Sequence, residues 1–333
     1  MPRLPATNRP FYVGALSASP GAAKFAAAID RRYKGDVDRR LKIILGTRGS
    51  ELALAQTRLV KKAIEGALPD IETETKIIAT TGDRTKIVDA QAGWKGLFTA
   101  EIERKLIAGH VDVAVHSAKD LPSELHADAA VAAALRRAAV NDILISKHTG
   151  GLAGLPKGAT VATSSVRRKH QLRWQRSDLA VVDLRGNVPT RLRKLVANDW
   201  DAIVLACAGL DRLGVAIGFH VELLPSDTFL PAGGQGIIAL QIRCDDERTK
   251  GIVDLVNDDE TLLCLRAERE FLRLLNVDCN APVGVLARIE DGNMKMRAQF
   301  FAPDSVAPRS AEVEGNCDEG NHVAEKLARQ IRA

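Results

Sequence analysis

The chain has 333 residues, of which 46% are hydrophobic and 27% charged, and its formal charge is +5. That length allows two or three domains with sizeable cores, and that balance is the one found in soluble globular proteins. No run is long and apolar enough to span a membrane, and 4% aromatics are too few for a base-stacking platform. Cys207, Cys244, Cys264, Cys279 and Cys317 lie far apart with no CxxC pair, which argues against structural zinc and a disulfide framework and for a reducing compartment.

Residues 1–40 read as separate from the fold. The first 29 carry Arg3, Arg9 and Lys24 and no acid. A transit peptide, a disordered extension and an upstream start are all open, so the expected location is the cytoplasm, with a plastid as the alternative. Order is predicted from Leu41, with a strand to Gly46, the turn Thr47-Arg48-Gly49-Ser50 and a helix from Glu51. Leu52, Ala55, Leu59, Ala63 and Ala67 share one face of that helix. Ser50 fits an N-cap, and Arg48 offers a fork suited to carboxylates. Ile71–Ala79 alternates as a strand does. The polar segment 84–94 is a candidate lid, and a helix follows Lys95-Gly96-Leu97-Phe98 with Ile102 and Leu106 on its face.

The stretch Val111-Asp112-Val113-Ala114-Val115-His116-Ser117-Ala118-Lys119-Asp120-Leu121-Pro122 starts as a buried β-branched strand and turns polar before Pro122. Ser117, Lys119 and Asp120 therefore leave the sheet at a strand's carboxyl end, where open α/β sheets hold ligands. An acid beside an ammonium there suits acid–base work or a charged substrate. Strands follow at Ala129–Leu135 and Asp142–Ser146, with a domain crossing near 136–142.

Beyond the crossing the opening plan repeats. Thr160–Ala162 is a strand, Thr163-Ser164-Ser165 a turn and Val166-Arg167-Arg168 a helix start. Val181–Leu184 ends in Arg185-Gly186-Asn187 before a helix carrying Arg191, and Ala202–Cys207 ends near Arg212. Arginines and hydroxyls at successive strand ends should converge on one cleft that takes a ligand with several carboxylates or phosphates. Pro231-Ala232-Gly233-Gly234-Gln235-Gly236 leads a strand back to the first sheet. A long helix with Cys264, Glu268 and Arg269, the turn holding Cys279, two strands and a closing helix from about 319 complete a small α+β domain.

Seven motifs occur in the order seen in one family. They are Thr47-Arg48 with Ser50, Lys95-Gly96-Leu97-Phe98, Val115 to Pro122, Thr163 to Arg168, Leu184 to Asn187 with Thr190-Arg191-Leu192, Gly234-Gln235-Gly236, and Ala267-Glu268-Arg269. From about residue 41 to the end the chain resembles porphobilinogen deaminase.

The resemblance implies two lobes like periplasmic binding proteins with a cleft between them, built from 41–136 with 231–253 and from 137–230. A small domain, 254–333, follows them. It implies that the protein is a monomeric transferase with no nucleic-acid or membrane partner and no metal. It would join four porphobilinogens onto a dipyrromethane cofactor held by Cys279 through a thioether, releasing hydroxymethylbilane. By the same resemblance Asp120 is catalytic. Lys119, Ser165, Arg167, Arg168 and Arg191 hold the cofactor with Asp120, and Arg48, Ser50, Lys95, Ser117, Thr163, Ser164, Arg185, Gly186, Arg212 and Gln235 hold substrate. Two departures stand out. Val277 and Asp278 precede the cysteine where the family has glycines, and Trp94 stands where a small or polar residue is common. The competing readings are a two-lobed binder of anionic solutes without catalysis and a relative that cannot load its cofactor.

Overall fold

The computed structural model describes residues 41–80, 99–277, 281–302 and 305–333. The proposed lid, Lys95, Phe98 and Cys279 lie outside them. Strand β1 (Lys42–Thr47) runs into helix α1 (Glu51–Ala67), β2 (Glu72–Ile77), α2 (Ala100–Ile107), β3 (Val113–Ser117) and β4 (Ala129–Ala134). A short 3-10 turn, Ala118–Asp120, follows β3. The chain then crosses into β5 (Asp142–Ser146), β6 (Thr160–Ala162), α3 (Val166–Gln175), β7 (Ala180–Val182), α4 (Val188–Ala197), β8 (Ala202–Ala206), α5 (Cys207–Leu213) and β9 (His220–Leu223). It returns in β10 (Ile238–Arg243) and α6 (Glu247–Asp254). The last part is α7 (Asp259–Leu274), β11 (Val283–Glu290), β12 (Asn293–Phe300), β13 (Arg309–Asn316) and α8 (Gly320–Arg332).

Two five-stranded sheets share one plan, β2-β1-β3-β10-β4 and β7-β6-β8-β5-β9. In each, the second strand in that order, β1 or β6, pairs in parallel with two neighbours. The fourth strand is antiparallel to both of its own. These fourth strands, β5 and β10, directly follow the two crossings between the lobes. The third part is a three-stranded antiparallel sheet, β11-β12-β13, with α7 and α8 against it.

Each part has its own core. Ile43, Leu45, Val60, Ile64 and Leu240 meet in the first lobe, Leu144, Val161, Leu172, Val204 and Phe229 in the second, and Phe271, Val285, Met294, Met296 and Leu327 in the third. Helix α7 serves two of them: Leu262 and Leu265 pack with Ala118, Leu121 and Ile237 of the first lobe, while Phe271 belongs to the third part. Cys264 is buried on this helix, and burial pushes its thiol pKa up to about 12, as expected of an inert core cysteine.

One helical face differs from the expectation. The buried residues of α1 are Ala55, Gln56, Thr57, Val60, Ala63 and Ile64, whereas Leu59 is 43% exposed. The helix is rotated because it packs on two surfaces, its own sheet and the second lobe. There the Leu52 side chain lies 3.7 Å from the place a Cβ on Gly209 would take. Strands β9 and β13 and helix α6 were not expected. Among the described residues strand β9 pairs only with β5, and β13 buries only Val313, so neither edge carries a marked apolar alternation.

Candidate active site

The carboxyl end of β3 lies where the two lobes and the third part meet. Ser117 ends the strand, and the 3-10 turn sets half-buried Lys119 and exposed Asp120 into the cleft. Gly234 makes this possible. Its φ is +74, and a Cβ there would stand 2.9 Å from the Ala118 carbonyl carbon and 3.0 Å from the Lys119 nitrogen. Only glycine lets the returning segment lie directly on the turn.

Asp120 lines one cavity with Arg48, Ser50, Gln56, His116 and Ser117. It also acts on two cations beyond that cavity. Burial and the charge of Arg168 lower the Lys119 pKa to about 8, and the Asp120 carboxylate opposes the shift. The same causes, in the same order, bring Arg191 to about 10, again opposed by Asp120. Asp120, Lys119, Arg168 and Arg191 therefore form one electrostatic cluster although they come from both lobes.

A second cavity lies on the other side of the turn. Lys119, Ser123, Arg269, Leu272, Val277 and Ala281 line it. Val277 and Ala281 are the described residues that flank Asp278, Cys279 and Asn280 in sequence. The left-handed residue is Asn276, at φ 55, and Val277 does not share that conformation. Asparagine tolerates it well, so valine in place of a glycine brings no backbone strain at 277.

Several hydroxyls serve the backbone. Ser50 accepts from Ala53 N at 3.3 Å and Ser165 from Arg168 N at 3.4 Å, each as a helix cap. Ser164 Oγ donates to Leu184 O at 2.5 Å, Thr163 Oγ1 accepts from Ser165 N at 3.3 Å, and Ser117 Oγ is bonded to the Gln56 amide. Gly186, at φ +117, gives its carbonyl to Arg191 Nε at 2.7 Å, which ties Arg191 to the turn after β7. Arg185 is exposed beside it.

Two residues expected to hold substrate, Gln235 and Arg212, make hydrogen bonds within the protein. Gln235 is buried, and its amide is used within the protein, donating to Val140 O and Asp142 Oδ1 and accepting from Lys119 Nζ. Arg212 donates to Gly236 O at 2.6 Å and so fastens α5 to the returning segment. In this structure both brace the junction between the lobes.

Arg167 and Arg168 are buried, and each pairs with Asp142, which is fully buried at the head of β5. Sequence reading passed over Asp142 as a strand residue. A signal was present: an acid opening an apolar run bound for a core needs a buried cation. Two other groups were quoted as motif members without a role. Glu268 is fully buried and holds Arg137, Gly234 N and Ala287 N. His116 Nε2 faces Gln241 Oε1 at 3.0 Å while Gln241 donates to Glu103, so His116 is the donor in that bond. Burial lowers its pKa to about 4, so the ring is neutral near pH 7.

Residues 43–251 match the dipyrromethane cofactor-binding domain of porphobilinogen deaminase, and residues 262–333 match that enzyme's C-terminal domain. The chain belongs to the porphobilinogen deaminase family. It is 43% identical over 290 residues to the porphobilinogen deaminase of Syntrophomonas wolfei, covering 86% of this chain and 94% of that one. The porphobilinogen deaminase of Roseiflexus sp. is 46% identical over 271 residues, covering 81% and 89%.

The wall of the cleft fits the cofactor of the porphobilinogen deaminase family. A dipyrromethane with acetate and propionate arms is an anion, and the cluster offers Lys119, Arg167, Arg168 and Arg191 against Asp120 and Asp142. Arg167 Nε is also buried without a hydrogen-bond partner among the described residues. A surplus of recessed donors and positive charge calls for carboxylates.

Proposed function

We propose that this chain carries out its family's reaction as a monomeric transferase. It condenses four porphobilinogens head to tail onto a dipyrromethane primer, releases ammonia at each step and frees hydroxymethylbilane by hydrolysis. The observation that carries this reading is the position of Asp120, an exposed acid at a sheet end that shares a cavity with Arg48 and Ser50 and interacts with Lys119 and Arg191. The primer would be held by Cys279 through its thiol and by Lys119, Ser165, Arg167, Arg168 and Arg191 through its acid arms. When bound it supplies a nucleophilic pyrrole carbon.

The protein's part then follows from charge. Arg48, with the helix start at Ser50, suits the acid arms of an incoming unit. Loss of ammonia from that unit leaves positive charge on its ring nitrogen, and Asp120 is placed to oppose it. One carboxylate about 4 Å from a unit charge at an effective dielectric near 20 contributes about 4 kcal/mol, or roughly a thousandfold in rate.

Asp120→Ala should therefore lower kcat about a thousandfold in protein whose mass still includes the primer. Cys279→Ser should show the bare polypeptide mass and no colour with Ehrlich's reagent. If Asp120→Ala keeps more than a tenth of the parent kcat, the assignment of Asp120 is wrong. If the parent itself shows only its polypeptide mass after expression in a porphobilinogen-producing host, a solute binder or a cofactor-less relative is the better reading.

A further inference from the structure

Asp142 lies at the centre of a polar chain that touches all three parts of the fold. Its Oδ1 accepts from Arg168 Nη2 at 2.6 Å, from Arg168 Nε at 3.1 Å and from Gln235 Nε2 at 3.0 Å. Its Oδ2 lies 2.8 Å from Arg167 Nη1. On one side Gln235 Oε1 accepts from Lys119 Nζ, 3.4 Å away in the first lobe. On the other, Arg167 Nη1 donates to Gln171 Oε1, and Gln171 Nε2 donates to Gln299 Oε1 in the third part. The remaining bonds go to carbonyls, Arg167 to Leu230 O and Arg168 to Val204 O.

Two guanidiniums side by side in a buried wall repel each other, and each charge lowers the other's affinity for a proton or for its place in the interior. Asp142 offsets that repulsion, and the two arginines hold its carboxyl well below the usual carboxylate range. One carboxylate against two guanidiniums leaves one positive charge over, and among the described residues Arg167 Nε has no hydrogen-bond partner. The arrangement is therefore rigid while it is still short of an anion. Rigid donors with unspent charge lose little freedom on binding, which is how preorganisation raises affinity.

We propose that Asp142 is a positioning residue. It fixes Arg167 and Arg168 in the cofactor-facing wall before any anion arrives, and through Gln235 it sets Lys119 against them. The inference rests on the reading that Arg167, Arg168 and Lys119 hold the dipyrromethane. Asp142 itself is fully buried. It acts through the arginines, so its loss should appear in anion affinity and not only in stability.

The test uses the full chain carrying Cys279→Ser, so that no primer is attached, and a synthetic dipyrromethane tetracarboxylate as the probe. Binding is measured by calorimetry at a temperature where circular dichroism shows every variant folded. Adding Asp142→Asn should weaken binding at least tenfold. Adding Gln235→Met, which leaves both ion pairs intact, should weaken it about threefold. Adding Arg167→Gln separates this proposal from the reading beneath it. If Arg167→Gln binds as the parent does, the functional reading of the wall fails. If Arg167→Gln weakens binding while Asp142→Asn leaves it unchanged, the wall stands and the positioning role is overturned. Should Asp142→Asn fail to fold, Asp142→Glu takes its place: the charge is kept and the carboxylate moves by one methylene. At least a threefold loss is then expected, and parent-like binding overturns the proposal.

Discussion

Removing Arg137 should unfasten the junction between the lobes. Its Nη1 and Nη2 reach Glu268 Oε1 and Oε2 at 2.7 and 3.2 Å, and Glu268 is fully buried. The same carboxylate accepts from Gly234 N at 2.6 Å and Ala287 N at 2.8 Å. One acid on α7 thus grips the outgoing crossing, the returning crossing and the first strand of the third part. Arg137→Ala leaves that carboxylate with two backbone amides and no cation. Breaking a buried pair from one side costs about 3–5 kcal/mol, and losing the Arg137 Nε bond to Gln235 O adds about 1. Urea unfolding of the full chain should show that loss as a lower midpoint at unchanged slope. Arg137→Ala combined with Glu268→Gln removes the stranded charge and should be more stable than Arg137→Ala alone. A loss under about 1 kcal/mol, or a double variant less stable than the single one, would refute the role given to this pair.

Other consequences can be measured directly. With the Lys119 pKa near 8, primer-free protein should bind the dipyrromethane tetracarboxylate less tightly as pH rises through about 8, because the cation is lost as the proton leaves. Lys119→Arg stays charged there, so calorimetry should find its loss of affinity at higher pH. Gly234→Ala forces a side chain into a left-handed conformation against the Ala118–Lys119 peptide, so unfolding should show a loss of about 1–2 kcal/mol or more and assays a lower kcat. Ile64→Ala should cost about 2–5 kcal/mol, while Leu59→Gln should stay within about 0.5 kcal/mol because that side chain faces solvent.

What the sequence revealed follows from how each element is buried. Strands sealed on both faces, such as β3, β5, β8 and β10, are unbroken apolar runs and were placed within a residue or two. Edge strands β9 and β13 bury too little to leave a pattern. The face of α1 was misread because spacing alone registers one surface, and this helix has two. Within the site, residues that end strands were visible because turn chemistry marks them. The pairings that organise them were not: Asp142, Gln235 and Glu268 act through partners 19 to 131 positions away, and no local spacing encodes such contacts. Two of the serines expected to meet ligand, Ser50 and Ser165, are helix caps, a role equally compatible with the same residues.

The late return of β10 to the first sheet also sets an order of birth. Everything in the second sheet lies between residues 142 and 223, so it can close as soon as that span has left the ribosome. The first sheet cannot. Among the described residues its edge strand β4 pairs only with β10, which is made more than a hundred residues later. Until Ile238–Arg243 emerges, the nascent amino-terminal half carries an open apolar edge. The part synthesised first is therefore the later one to finish, and a chaperone guarding this chain would find its binding surface there.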